Sequence, residues 1–267
     1  AQYGSKFMKC WSSGHSTLDL SGAIKVSCNG FFYRYANHTG IRNIQTMTNL
    51  LGLGRTTGIE ITGENPGNIP NPEWLRMQGL LWSDAFTALV AIGQGATEAS
   101  PLQMASVTAT VANGGKVYQP RLIKKISEKD GTIVKDDIPI LKHDLTKEGL
   151  TAEHIETVRR GMWRVVNEAG GTAGRAKSDL TVLSGKTGTA QTANPNQPTN
   201  AWFIAFAPYD NPEIAVCVFV ENGNSGGGAA SPIAKNIIDN IVTMNQGREI
   251  KITAIPEAIG RTDRVMS

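Results

Sequence analysis

Two short segments carry side chains whose types and spacing could do chemistry. The first is Lys186-Thr187-Gly188-Thr189, inside "LSGKTGTAQT" at 183–192. It sets a cation and two hydroxyls among glycines, in a run whose C-terminal neighbours read as strand. Glycine packs nothing in a sheet and costs backbone entropy, so Gly185 and Gly188 need a reason. Either they mark a bulge or hairpin end, or another group approaches this backbone closely and is held by charge and hydroxyls. The second segment is Ser27-Cys28-Asn29, at a break between two helical patterns. Taken singly, each tripeptide reads as turn residues.

Other chemistries find little support. There is no H-E-x-x-H and no Cys/His spacing for a metal, so neither a metal nor a cofactor is expected. Gly52, Gly54 and Gly58 do not match G-x-G-x-x-G, and neither a Walker-type loop nor a G-x-S-x-G elbow occurs. His15, His38, His143 and His154 lack triad neighbours and read as surface or packing residues. Cys10, Cys28 and Cys217 fit no redox spacing, and Cys217 in "IAVCVFV" reads as core filler. The 267 residues are 40% hydrophobic and 18% charged, a globular composition for one large domain or two lobes. Lys plus Arg number 26 against 23 for Asp plus Glu, a net charge of +3 that argues against nucleic acid as a partner. The apolar runs are too short to span a bilayer, so any membrane anchor is expected outside this chain.

The elements that must position the two segments follow from periodicity. Residues 16–35 read as helix, interruption, helix, with Leu20, Ala23, Ile24 and Ser27 on one face and "SCNG" as the break. Residues 40–51 form a short helix ended by Gly52, and 52–73 form a long loop that must be functional or well packed. Helices are expected at 84–92 and at 101–113, the latter with Ser100 as N-cap and Pro101 at its first position. Residues 116–142 read as a hairpin around "KDGT", and a helix follows Thr151 with Ile155, Val158, Met162 and Val165 on one stripe. After 180 the period becomes that of strands. "TVLSGKTGTAQT", "NAWFIAFAPY" and "EIAVCVFVEN" read as an antiparallel meander, closed by a helix at 232–245. The expected fold is α/β (α+β): an antiparallel sheet with a covering C-terminal helix, plus a helical lobe at about 10–115 and 145–178, with a tail at 246–267.

Together, in this order and on these elements, S-C-N and K-T-G resemble the second and third motifs of the penicillin-recognising serine enzymes. The likeness extends to "KCWSSGHSTLDLSGAIKVSCNGFFY", "LGLGRTTGIEITGENPGNIPN", "AIGQGATEASPLQMASVTATVANGG", "SGKTGTAQ" and "AWFIAFAP" with "PEIAVCVFVENG". These resemble, across about residues 7–245, the transpeptidase domain of class B penicillin-binding proteins, most closely the penicillin-binding protein 2 type of wall elongation. The resemblance implies a penicillin-binding-protein/β-lactamase-like fold and a peptidoglycan D,D-transpeptidase acting on D-Ala-D-Ala stem peptides through an acyl-serine. It implies β-lactam antibiotics as ligands and a membrane-embedded glycosyltransferase as partner. It also implies a place on the extracytoplasmic side of the bacterial inner membrane. By the same resemblance, Ser27 relays a proton, Asn29 orients the substrate amide, and Lys186, Thr187 and Thr189 meet the terminal carboxylate. Gly188 keeps bulk away from the scissile carbonyl, and the Thr189 N–H serves the oxyanion hole. Trp202 reads as core rather than cleft wall, and Gln94 in "IGQG" as a turn residue. Cys28 is expected to point into the helical lobe as packing.

The family's nucleophile motif, S-x-x-K, has no match: no serine here is followed three positions later by lysine, and Ser21 with Lys25 is the nearest miss. The chain therefore reads as the C-terminal portion of a transpeptidase domain, inactive by itself. The alternatives are a non-catalytic module binding peptidoglycan or a partner, or a D,D-carboxypeptidase or β-lactamase-type hydrolase. The missing strands of the family's sheet would leave the strand at 214–221 as an apolar edge needing cover.

Overall fold

The computed structural model describes residues 2–3, 6–136, 138–192 and 194–247. The expected tail falls outside the described residues from 248 onward. Strands β1 (Gln2–Tyr3) and β2 (Lys6–Phe7) pair antiparallel. Helix α1 (Leu20–Lys25) begins at Asp19, whose carboxylate accepts from Gly22 N at 2.6 Å. Helix α2 (Asn29–Thr39) turns at Gly40 into α3 (Ile41–Leu50).

The long loop after α3 is largely exposed and is held by hydrogen bonds rather than by packing. Glu64 accepts from Thr57 N, Thr57 Oγ1 and Gly58 N, and the buried Gln103 donates to the carbonyls of Arg55 and Pro66. A helix missed by periodicity follows, α4 (Pro72–Met77), with Asn71 as its cap. Its start signal lies within a run of proline and asparagine that reads as loop. Helix α5 (Asp84–Ala91) precedes α6 (Pro101–Ala112), where Ser100 and Gln103 form a reciprocal capping box.

The hairpin expected at 116–142 divides into two nested antiparallel ladders. Strand β3 (Lys116–Tyr118) pairs with β6 (Leu141–Asp144), and inside them β4 (Lys125–Ser127) pairs with β5 (Ile133–Asp136). Helix α7 (Ala152–Asn167) is capped by Thr151, with His154 Nδ1 accepting in return.

The meander is the antiparallel sheet β7 (Ser184–Ala190), β8 (Asn200–Ala207) and β9 (Ile214–Val220), in that order. Helix α8 (Ser231–Asn245) closes the described chain. Alternation gives the sheet two buried faces. Ala201, Phe203, Ala205 and Val218 face Ala234 and Ile238 of α8, while Phe206 and Ile204 face Ala112 of α6 and Met162 of α7. Among the described residues no strand pairs with the outer edge of β9. Phe219 on that strand stays 39% exposed. No described helix is long and apolar enough to cross a membrane.

The glycines of β7 have separate explanations. A Cβ on Gly185 would lie 2.4 Å from Phe203 Cζ and 2.6 Å from Ile204 O, so this position is glycine because the sheet core closes over it. At Gly188 the neighbour is the Trp202 Cβ, 3.0 Å from an added Cβ, and Gly226 in turn packs its backbone onto Gly188. Gly185→Ala is therefore expected to destabilise the fold by about 1–3 kcal/mol through overpacking. A lowered urea midpoint with an unchanged m value is the measurement that checks it.

Candidate active site

Ser27 is placed by the way α1 ends. Cys28 N donates to Ala23 O at 3.0 Å and Ser27 N to Ile24 O at 3.2 Å, leaving Ser27 in the left-handed region at φ 52°. Glycine usually takes that position, and a side chain there costs about 1–2 kcal/mol. The indole of Trp11 braces the turn, donating to Ser27 O at 2.9 Å and Val26 O at 3.2 Å. Helix α1 lies against α7, where a Cβ on Gly161 would come within 2.8 Å of Ile24 Cβ. Charges lock the same pair of helices. Lys25 Nζ meets Glu168 at 2.8 Å, and Arg164 bonds Glu168 and donates to Ser21 Oγ at 2.7 Å. The Arg164 and Lys25 hydrogen bonds pull the Glu168 carboxyl down to about 2.

From the sheet side, Lys186 Nζ donates to Ser27 Oγ at 2.8 Å and to Thr187 O at 2.7 Å. The residue is half-buried, and desolvation of its amine pulls the pKa down to about 8. An amine titrating there, touching a hydroxyl, can pass a proton at neutral pH. Lys186 and Gly188 lie opposite Ile204 and Trp202 on one face of the sheet, and Thr187 lies opposite Phe203 on the other. Thr187 Oγ1 accordingly shares a hydrogen bond of 2.7 Å with Thr172 Oγ1, from the segment after α7. Thr172 went unnoticed in the sequence, where "GGT" signals only a helix end.

Lys186, Thr187, Gly188 and Thr189 line a cleft of about 840 Å³, within the range of small-molecule sites. Met104, Trp202 and Phe219 form its apolar wall, the two rings 4.6 Å apart, so Trp202 is a cleft residue rather than core. Gln94 also belongs here. It holds its turn through Gln94 N to Leu89 O, but its Nε2 reaches Thr189 O at 3.3 Å. Ser27 enters through its contact with Lys186. Asn29, in the first turn of α2, is half-buried and does not line this cleft. A smaller cavity of about 240 Å³, beside Arg55 and His143, lies away from both motifs.

The spacing of cysteines and histidines along the chain points to no metal site, but the fold assembles a Cys/His cluster. The fold brings Cys10 Sγ to 3.6 Å from His15 Nδ1, and with Cys28 Sγ the three donor atoms lie within 4.8 Å of one another. Two thiols and an imidazole are donors of the kind that bind zinc. Cys28 is thus buried, as expected, but against this cluster. Cys217 is inert by comparison, its thiol pushed up to about 12 by burial.

Two expectations follow from these groups. In the folded chain Lys186 should titrate near pH 8, well below ordinary lysines, in a carbon-detected NMR titration of its Cε. Because its folded pKa is depressed, stability should rise with pH between about 8 and 10.5. Glu168 has a depressed carboxyl, so its contribution is present above the unfolded value of about 4.5 and fades as pH falls toward about 2. Urea midpoints at pH 6, 4 and 3 should show that loss, and Glu168→Gln should abolish this part of the pH dependence.

Comparison with known proteins places this geometry in a family. The model of the penicillin binding protein transpeptidase domain matches residues 1–239. The peptidoglycan D,D-transpeptidase MrdA of Haemophilus influenzae is 36% identical over 250 residues, 88% of this chain and 38% of that protein. MrdA of Acinetobacter baumannii is 34% identical, over 88% of this chain and 36% of that protein. Among solved structures, penicillin-binding protein 2 of Pseudomonas aeruginosa in complex with WCK 5153 superposes with a TM-score of 0.77 at 32% identity. That match covers 96% of this chain and 55% of the other. The complex of penicillin-binding protein 2 with MreC from Helicobacter pylori gives 0.75 at 28% identity, over 88% and 42%. The chain thus spans less than two fifths of the length of these curated relatives. With its matched motifs, sheet and helices, it belongs to the transpeptidase domains of the class B penicillin-binding proteins, of the penicillin-binding protein 2 type.

Proposed function

We propose that this chain forms the substrate-binding and proton-relay half of a peptidoglycan D,D-transpeptidase site. One observation carries the reading: an amine with a pKa near 8, on the open edge of a sheet, touches a serine hydroxyl presented from the helical side. An extended D-Ala-D-Ala end would lie along β7 as an added strand. The Thr189 N–H would receive the scissile carbonyl, and losing such a donor typically costs about 10²–10³ in rate. Lys186 with the hydroxyls of Thr187 and Thr189 would hold the terminal carboxylate, and Gly188 leaves room for the approach. Asn29, at the start of α2 beside Ser27, would orient the substrate amide. As a serine O–H adds to the scissile carbonyl carbon and the C–N bond breaks, the hydroxyl proton would pass through the Lys186–Ser27 pair to the leaving D-Ala amine, and the acyl group stays on the serine oxygen. A second amine then takes the acyl group, forming the cross-link. A β-lactam enters as a mimic of the same amide.

The acyl-accepting serine of S-x-x-K is not among these 267 residues. The chain as it stands is therefore read as unable to form the covalent intermediate, and this same feature favours the second reading, a binding module for peptidoglycan or a partner. The proposed setting is the extracytoplasmic face of the inner membrane, beside the wall-elongation machinery and its membrane-embedded glycosyltransferase. A relative of this type has been seen bound to MreC.

Labelling with a fluorescent penicillin, read by denaturing electrophoresis and intact mass, tests the proposal. The 267-residue chain should give no adduct. The gene-encoded protein, if it carries S-x-x-K, should label, and Lys186→Ala should slow that labelling by about 10²-fold or more. A stoichiometric adduct on the 267-residue chain would overturn the assignment of Ser27 as relay and make it the first candidate nucleophile. A gene-encoded protein with no S-x-x-K and no adduct would leave the binding module as the function.

A further inference from the structure

Gln94 sits in the loop after α5 with its backbone held on both sides. Gln94 N donates to Leu89 O at 3.0 Å, and Gln94 O accepts from Thr97 Oγ1 at 3.1 Å. Gly93 and Gly95, at φ 69° and 75°, make the bend around it. The side chain reaches across the cleft to the Thr189 carbonyl. Strand β8 occupies one side of β7, and among the described residues no strand occupies the other. A carbonyl bonded to Gln94 from across the cleft therefore lies on the open side.

That carbonyl has a second claimant. In an antiparallel ladder, two residues of a hydrogen-bonded pair exchange both N–H···O=C bonds. If the scissile carbonyl of an acyl donor receives the Thr189 N–H, the same donor residue presents its own N–H to the Thr189 carbonyl. We propose that Gln94 is a positioning residue of the acyl-donor site, which caps the Thr189 carbonyl in the open cleft and yields it to the backbone N–H of the incoming peptide. The inference rests on the acyl-transfer reading above. At 3.3 Å and in contact with solvent, the Gln94 bond is long enough to be displaced. While in place it leaves one less free acceptor on an edge that other chains could pair with. The exchange makes and breaks only hydrogen bonds, and selects donors that offer an amide at this position.

The test uses the gene-encoded protein and two ligands that differ in one group. One is an acetylated L-Lys-D-Ala-D-Ala peptide. The other is its depsipeptide analogue, with an ester oxygen in place of the penultimate D-Ala N–H. Their dissociation constants are measured by displacement of a fluorescent ligand. Gln94→Ala should bind the amide peptide more tightly, by roughly two- to fivefold, because the competitor for Thr189 O is gone. Affinity for the ester should not change. Gln94→Asn, one methylene shorter, should behave as the alanine variant does, which guards against a defect particular to one substitution. Equal changes for both ligands, or weaker binding of the amide peptide alone, would overturn this inference and leave the acyl-transfer reading standing. Failure of both ligands to bind the unmodified protein would overturn the acyl-transfer reading, and this inference with it.

Discussion

The contact between Lys186 Nζ and Ser27 Oγ joins residues 159 positions apart, and the surrounding structure is arranged so that it can form. Neither partner could hold it alone. Lysine carries a long flexible stem, and a serine at a helix end has no fixed direction. Helix α7 supplies the missing rigidity. One of its faces receives α1 at Gly161, and Val165 and Val166 are buried with the sheet core. At its end, Asn167 Nδ2 donates to Leu183 O at 2.8 Å, at the entry to β7. A single helix therefore spans from the turn that presents Ser27 to the strand that presents Lys186.

The electrostatics of the two flanks differ, and the difference has a use. Around Glu168, two cations surround one partly exposed carboxylate, so the charged state is favoured and the helices are held together. Among the described residues Lys186 has no carboxylate partner of this kind; its bonds go to a hydroxyl and a carbonyl, and desolvation governs its titration. An ion pair there would fix the proton on the amine. Neutral acceptors leave it able to move near pH 8.

Close approach is the other recurring constraint. Gly185 lies under the Phe203 ring, and Gly226 packs against the Gly188 backbone. These contacts let a turn and a sheet core close around β7 while its far edge stays open to the cleft. A Thr172–Thr187 hydrogen bond further pins the strand. The motif is thus part structural: Gly185 serves packing, Lys186 serves the site, and Gly188 lies where both meet.

Much of this was legible in the sequence because it is local. Helix caps at Ser100 and Thr151, the stripe on α7 and the three alternating runs all express backbone hydrogen bonding and burial over a few residues. The two tripeptides were legible as well, through their order and the elements that carry them. What the sequence could not show depends on which distant surfaces meet. Cys10 and His15 join Cys28 only because the segment before α1 folds back over the α1–α2 turn, where Trp11 also bonds. Gln94 reads as a turn residue, and it is one. That its carboxamide also reaches Thr189 follows from the placement of the α5–α6 loop across the cleft, a distance of 95 residues along the chain. Periodicity and capping act over one or two turns of backbone, so the sequence determined the elements and the residue types available for chemistry. Packing between elements acts through space, and it alone decided which of those residues touch.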